Sequence, residues 1–246
     1  MPTASPVLEK TKTKRHSLIV RVTHWLTFAA FIALLVTGFE IVISHPRFYW
    51  GEEGNVNTKP LFVIPIPASR ETVPTGYNYV MPDQNGWSRY LHFEAAWLAV
   101  VAGLIYAIYG LATGHFRKNI FPARRDWNWR AFGDRMAKYL RRERPDRAEE
   151  NSYNVLQRAA YAVVIFILFP LIIWTGLAMS PSFTAAFPAT AALLGGRQSA
   201  RTIHFFDSWL LLAFLIVHVI MVARSGFRRR MRAMITGYRR DSEEGQ

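Results

Sequence analysis

Four windows of this chain are long, apolar and almost free of charge. They run over about 18–43, 89–112, 156–179 and 203–223, with only Arg21, Glu40, Arg89, Glu94, Arg158 and Asp207 inside them, mostly near their ends. A helix of 20–25 residues spans about 30 Å, the thickness of a bilayer's hydrocarbon core. Soluble helices rarely stay apolar on every face for that length. The windows therefore predict an all-α integral membrane protein, a bundle of four transmembrane helices. The first run is too long for the hydrophobic region of a cleavable signal peptide, so none is expected. The mean hydropathy of only +0.07 does not contradict this reading, because it averages four apolar helices with polar loops.

The charges then orient the chain. The tail 1–21, the loop 114–158 and the tail 224–246 carry 24 of the 30 Lys and Arg residues, and the loops 44–89 and 181–201 carry 6. By the positive-inside rule both termini and the middle loop are expected in the cytoplasm. An even number of spans requires the termini to share a side, and the charges agree. The net charge of +13 is thus expected to be a cytoplasmic collar facing lipid, and a nucleic-acid partner is disfavoured. The chain has no cysteine, which excludes disulfides, thiolate metal sites and cysteine-ligated clusters. The whole chain reads as one membrane domain, with an outer loop over 44–88 and a basic cytoplasmic loop over 114–155. In the outer loop, Leu61-Phe62-Val63-Ile64 is too short to span and suits a short strand or a surface segment. In the basic loop, Trp127, Trp129, Phe132, Met136, Tyr139 and Leu140 lie among arginines, as in an interfacial amphipathic helix.

Seven histidines are present, and four of them lie within the apolar windows: His24, His92, His204 and His218. Ionisable groups at membrane depth are costly and point to function. Any one of them alone could be a structural histidine bonded to a carbonyl. The group carries more information. His204 and His218 are 14 residues apart on the fourth window. Fourteen residues return a helix to within about 40° of the same face, with a rise of roughly 21 Å. Alternating topology puts His24 level with His218 near the cytoplasm, and His92 level with His204 near the outside. Two cross-helix pairs suit the bis-imidazole ligation of two stacked haems. A zinc site would need four ligands at one point.

Arg21, Arg89 and Arg201 each precede one of these histidines by three residues, and so share its helix face. Each lies toward the nearer membrane surface, where it can bind a haem propionate or simply snorkel. Gly38, Gly103, Gly110 and Gly176 either make room for a porphyrin or mark close helix contacts. Glu40, Glu94 and Asp207, all in the outer half, read best as acids solvated at helix ends.

This pattern resembles the bacterial cytochrome b561 family, which includes the b-type subunits of nickel–iron hydrogenases and formate dehydrogenases. Arg21, His24-Trp25, His92, and His204 with His218 carry the resemblance, and the 14-residue spacing is its specific element. It implies two b haems, paired as above, in a bacterial inner membrane. His45-Pro46-Arg47-Phe48-Tyr49-Trp50-Gly51, Tyr153-Asn154-Val155-Leu156-Gln157 and Gly195-Gly196-Arg197-Gln198-Ser199-Ala200-Arg201 look like the branch paired with extracytoplasmic molybdopterin oxidoreductases. The Asn154…Gln157 stretch is similar to one beside the family's quinone site, where amides can bond a quinone carbonyl. The same residues also suit a helix N-cap. The implied activity is electron transfer between an outer redox partner and the quinone pool, with homo-oligomerisation possible. The alternatives are a stand-alone superoxide:quinone oxidoreductase and the cytochrome b subunit of a nickel–iron hydrogenase. A haem-free anchor or transporter would leave the four aligned histidines unexplained.

Overall fold

The computed structural model describes residues 12–55, 57–65, 86–121 and 155–240, with single positions at 133 and 137. The amphipathic segment expected between Trp127 and Leu140 lies outside the described residues, apart from those two helical positions. In chain order the elements are β1 (Lys12–Lys14), α1 (Leu18–Ser44), β2 (Arg47–Phe48), β3 (Phe62–Val63) and α2 (Trp87–Ala112). They continue with α3 (Val155–Val163), α4 (Phe169–Met179), α5 (Pro181–Ala186), α6 (Ala189–Ala192), α7 (Arg197–Arg224), α8 (Phe227–Thr236) and β4 (Tyr238–Arg240). Among the described residues, four helices are long and apolar enough to cross a membrane: Leu18–Ser44, Trp87–Ala112, Leu156–Met179 and Arg197–Arg224.

The third of these, α3 with α4, is interrupted. Pro170 has no N–H to donate, and its ring would clash with the carbonyl of residue 166 in a regular helix. A π-helical turn over Val164–Leu168 absorbs this misfit and joins α3 to α4. A second π-helical turn, Phe116–Ile120, follows α2. It turns the Phe116 ring back against Gly110, where a Cβ would come within 2.3 Å of that ring.

The spans pack as two hairpins, α1 against α2 and α4 against α7. Between 11% and 17% of the residues in each span's most apolar stretch are buried. The α4–α7 contact is lined by small side chains, Ala178 and Ala200, which with Ala191 of α6 form a fully packed cluster. Such residues let backbones approach closely without a hydrophobic driving force.

α7 begins at Arg197, about two turns earlier than the apolar pattern suggests, because polar contacts hold its first turns. Gly196 precedes it at φ +111°. The N–H groups of Gln198 and Ser199 donate to the Gly51 carbonyl at 3.0 and 3.2 Å. The Arg197 N–H donates to Glu52 Oε2 at 2.9 Å. These are orphan donors of a helix N-terminus, satisfied here by the strap after α1. The Thr202 hydroxyl adds a bond to the Tyr49 carbonyl at 2.7 Å. The strap continues as β2, which pairs with β3 in the register Arg47↔Val63 and Phe48↔Phe62. The Phe48 and Phe62 rings stack at 4.7 Å, and Phe48 lies 4.5 Å from the Phe205 ring of α7. The apolar stretch at 61–64 therefore forms a strand edge that covers one end of α7.

The other end of the bundle is closed by the two ends of the described chain. β1 and β4 pair antiparallel, Lys12 with Arg240 and Lys14 with Tyr238. The Arg15 N–H donates to the Gly237 carbonyl at 2.8 Å. The basic helix α8, with Arg228, Arg229, Arg230 and Arg232, lies against α1, where Trp25 Nε1 donates to the Met234 carbonyl at 3.3 Å. Arg21 also donates to α8, at the Ile235 carbonyl.

Two outcomes test this clasp and strap. Burial first, then Arg15, His24, His115 and Arg21, hold the His16 imidazole down at about 4, below its ordinary 6.5. A neutral His16 stabilises the fold fully above pH 6.5, and this contribution is lost as pH falls from 6.5 toward 4. Over that window the thermal midpoint of the wild type should fall more steeply than that of His16→Asn. At the strap, a Cβ on Gly196 would lie 2.5 Å from the Gly51 carbonyl and 2.6 Å from the Glu52 nitrogen. Gly196→Ala should destabilise the protein by more than about 1 kcal/mol, seen as a lower thermal midpoint in detergent.

Candidate functional site

The structure brings the four span histidines together in two pairs. The rings of His24 on α1 and His218 on α7 have centroids 6.4 Å apart and planes inclined at 53°. Those of His92 on α2 and His204 on α7 are 6.3 Å apart, inclined at 58°. The pairs are thus stacked along α7, separated by roughly 21 Å of helix rise. The first lies at the end closed by the β1–β4 pairing, the second at the opposite end.

The gap within each pair decides what it can hold. Two imidazoles in direct hydrogen bond would have centroids about 5 Å apart, given an N···N distance near ~2.9 Å. Two imidazoles on opposite sides of one metal, with bonds of about 2.0–2.1 Å and ring centres ~1.1 Å behind each nitrogen, would have centroids about 6.3 Å apart. Both pairs match the second arrangement. Among the described residues no group of three or more His, Asp or Glu is placed to hold a metal. A metal at either pair must therefore bring its remaining ligands with it, as iron in a porphyrin does. The donor set fits haem.

Hydrogen bonds fix the rings of the second pair. Thr37 on α1 is fully buried, and its hydroxyl donates to the Ala33 carbonyl at 2.7 Å. The same oxygen lies 2.8 Å from His92 Nδ1. Thr175 on α4 repeats the arrangement. It is fully buried, donates to the Leu171 carbonyl at 2.8 Å and lies 2.9 Å from His204 Nδ1. With its one hydrogen committed to a carbonyl, each threonine oxygen accepts from the imidazole, so Nδ1 carries the proton and Nε2 is left as a ligand. Gly38 and Gly176 follow these threonines directly. A Cβ on Gly38 would meet His92 Cε1 at 3.7 Å, and one on Gly176 would meet His204 Cε1 at 3.6 Å. These two glycines lie against ligand rings. Gly110 instead accommodates Phe116, and a Cβ on Gly103 would have nothing within 4 Å. The two Thr-Gly dipeptides in the first and third windows were the available sequence signal for Thr37 and Thr175, and inspection of ionisable residues alone misses them.

The first pair is held differently. His24 Nδ1 is buried and has no hydrogen-bond partner. His218 Nδ1 lies 3.5 Å from the Tyr161 hydroxyl of α3, at the limit of a hydrogen bond. Packing does the rest. Trp25 meets His24 edge-on at 5.2 Å, and Phe214 stacks on His218 at 5.8 Å.

The arginines lie one turn from three of the histidines. Arg201 donates to the carbonyls of Arg47, at 3.0 Å, and His45, and its guanidinium sits 4.7 Å over the Phe48 ring. Arg21 bonds to the Ile235 carbonyl, and its Nε is buried without a partner. Arg89 is exposed near the start of α2. Gln157 lies half-buried on α3, and Asn154 lies outside the described residues. Asp207 departs from the helix-end reading. It is only 2% exposed, one turn below His204, and both its carboxylate oxygens are buried without partners. Glu94 is exposed, in keeping with that reading.

Comparison with known proteins identifies the family of the chain. The family model described as prokaryotic cytochrome b561 matches residues 15–237, which contain all four histidines. A putative protein-methionine-sulfoxide reductase subunit, YedZ1, from Azospira oryzae is 31% identical over 228 residues, covering 91% of this chain and 96% of the relative. A probable Ni/Fe-hydrogenase B-type cytochrome subunit from Cupriavidus necator is 27% identical over 236 residues, covering 89% and 84%. A protein of the same description from Azotobacter chroococcum is 23% identical over 231 residues, covering 89% and 85%. The chain belongs to the prokaryotic cytochrome b561 family, membrane proteins of electron transfer that bind haem b.

Proposed function

We propose that this chain is a dihaem cytochrome b subunit of the bacterial inner membrane, with both termini in the cytoplasm. It would transfer electrons between a redox partner on the outer face and the membrane quinone pool. The observation that carries this reading is the pair of imidazole gaps of 6.3 and 6.4 Å, stacked along one helix. His92 and His204 would hold the outer haem, and His24 and His218 the inner one. When bound, each haem supplies a one-electron carrier with no open position for substrate.

The protein's own residues do the rest. Thr37 and Thr175 orient the outer ligands through Nδ1. Trp25 and Phe214 pack on the rings of His24 and His218. Arg21, Arg89 and Arg201 lie toward the surfaces, where their guanidinium groups would bind haem propionates. Asn154 and Gln157, at the start of the third span, would bond a quinone carbonyl close to the inner pair and its cytoplasmic proton supply. The basic collar supports the orientation, since 24 of the 30 Lys and Arg residues fall in the two tails and the middle loop.

A partner subunit is supported by the relatives, whose descriptions name subunits of a sulfoxide reductase and of hydrogenases. The outer strap and loop segments, with Trp50 and Phe187 exposed, suit a docking face for such a subunit. A molybdopterin-dependent oxidoreductase is the partner we favour, on the resemblance of the strap and of the segment before α7. A nickel–iron hydrogenase is the second reading, favoured by the relatives from Cupriavidus and Azotobacter.

Reduced-minus-oxidised spectra of the purified protein should show b-type bands with about two haems per chain. His204→Ala and His24→Ala should each remove a different spectral component, and removal of the same component by both would refute the pairing. Asn154→Ala should slow quinone-linked oxidation or reduction of the haems about 10-fold or more while leaving haem content intact, a loss of the size that removing one hydrogen bond to a bound group produces.

A further inference from the structure

The two histidine pairs differ in one chemical respect that their matching geometry does not require. At the pair near the strap, both Nδ1 atoms meet a fully buried threonine oxygen, at 2.8 Å from Thr37 and 2.9 Å from Thr175. At the pair near the termini, His24 Nδ1 has no partner and His218 Nδ1 has one at 3.5 Å. The threonines are not held there by the histidines alone. Each hydroxyl is already anchored to its own helix, Thr37 to Ala33 and Thr175 to Leu171, so its acceptor lone pair is aimed before any ligand arrives. The glycine after each threonine lies beside the same ring, where a Cβ would stand in ordinary van der Waals contact at 3.7 Å from His92 Cε1 and 3.6 Å from His204 Cε1.

A hydrogen bond from Nδ1–H shifts electron density onto the imidazole and makes Nε2 a stronger donor. A stronger donor favours the more highly charged, oxidised iron, and outer-shell hydrogen bonding is one of the levers by which a protein sets a haem potential. The positive collar acts at the opposite pair. α8 places Arg228, Arg229, Arg230 and Arg232 at the end that holds His24 and His218, and positive charge favours the added electron. The two effects have the same sense.

We propose that Thr37 and Thr175 are positioning residues that poise the haem of His92 and His204 at a lower potential than the haem of His24 and His218. This gives the bundle a built-in direction, from the strap end to the termini end. One electron would leave the haem held by His92 and His204, which is thereby oxidised, and would be taken up by the haem held by His24 and His218, which is thereby reduced. No proton or group moves in the exchange, and the electron comes from the redox partner at the outer face. If the termini are cytoplasmic, this direction runs against an inside-negative membrane potential, and a graded pair of sites offsets that opposition. The proposal rests on the dihaem reading above.

The test is a potentiometric titration of the purified protein, followed optically and by electron paramagnetic resonance. The components are assigned through the one lost in His204→Ala and the one lost in His24→Ala. In the wild type the component lost in His204→Ala should have the lower midpoint. Thr37→Val and Thr175→Val, which keep the packing and remove the acceptor, should each raise that midpoint and leave the other unchanged. The double variant should raise it further, and Thr37→Ser and Thr175→Ser should restore the wild-type value. The inference is overturned if the wild-type order is reversed or the midpoints coincide. Valine variants that move neither midpoint, or both equally, overturn it as well. If a valine variant loses its haem, the wild-type order still decides. Failure of the dihaem reading looks different, because the wild type would then show no b-type bands or a single component.

Discussion

The interval between paired imidazoles is the constraint on which the rest of the structure depends. At 6.3–6.4 Å the rings are too far apart to bond to each other and correctly spaced to share a metal between them. Holding that interval requires three helices to stand in a particular order, because each pair joins α7 to a different partner. α7 supplies one histidine at each level, α1 supplies the second at one end, and α2 supplies the second at the other. The two hairpins, α1 with α2 and α4 with α7, keep close contact within themselves, and the histidines bridge between them. Only a small share of the residues in the spans is buried, as suits helices whose apolar outer faces are long enough to meet lipid.

Each end of the bundle is closed by a device suited to the helix ends it must satisfy. At the strap end, the N-terminus of α7 has orphan N–H groups, and Gly51 and Glu52 accept from them. This is possible only because Gly196 lacks a Cβ where the strap passes. Arg201 fastens the same strap from the side through the His45 and Arg47 carbonyls. At the termini end, the β1–β4 pairing and the contacts of α8 with Arg21 and Trp25 hold the start of α1, only a turn from His24. Each histidine pair therefore sits near a braced helix end.

Asp207 shows how depth and packing change the meaning of a residue. Its place near the end of an apolar window suggests an acid reaching for water. The structure instead turns it inward, one turn from His204, with neither oxygen paired. A buried carboxyl at membrane depth is costly, and this sets Asp207 apart from Glu94, which is exposed.

Much of this architecture was legible in the sequence, because membrane depth imposes a strict local rule. A backbone in lipid must satisfy its own hydrogen bonds, so a long uncharged window reads as a helix with little ambiguity. The spacing of His204 and His218 fixes their shared face through helix geometry alone, and alternating topology supplies their partners. What the sequence could not determine depends on contacts between distant segments. Thr37 and Thr175 are ordinary residues in apolar windows until another helix brings a ring nitrogen to their oxygens. The extra turns of α7 at Arg197 are polar and look like loop, and they become helical because the strap, some 145 residues earlier, accepts their N–H groups. The pairing of β1 with β4 likewise joins opposite ends of the chain, and neither tail encodes its partner. Local chemistry determined the spans and the candidate ligands. Only the tertiary structure decided how the ligands are oriented and how the helix ends are held, since a hydrogen bond between remote residues leaves no periodic trace in either one's neighbourhood.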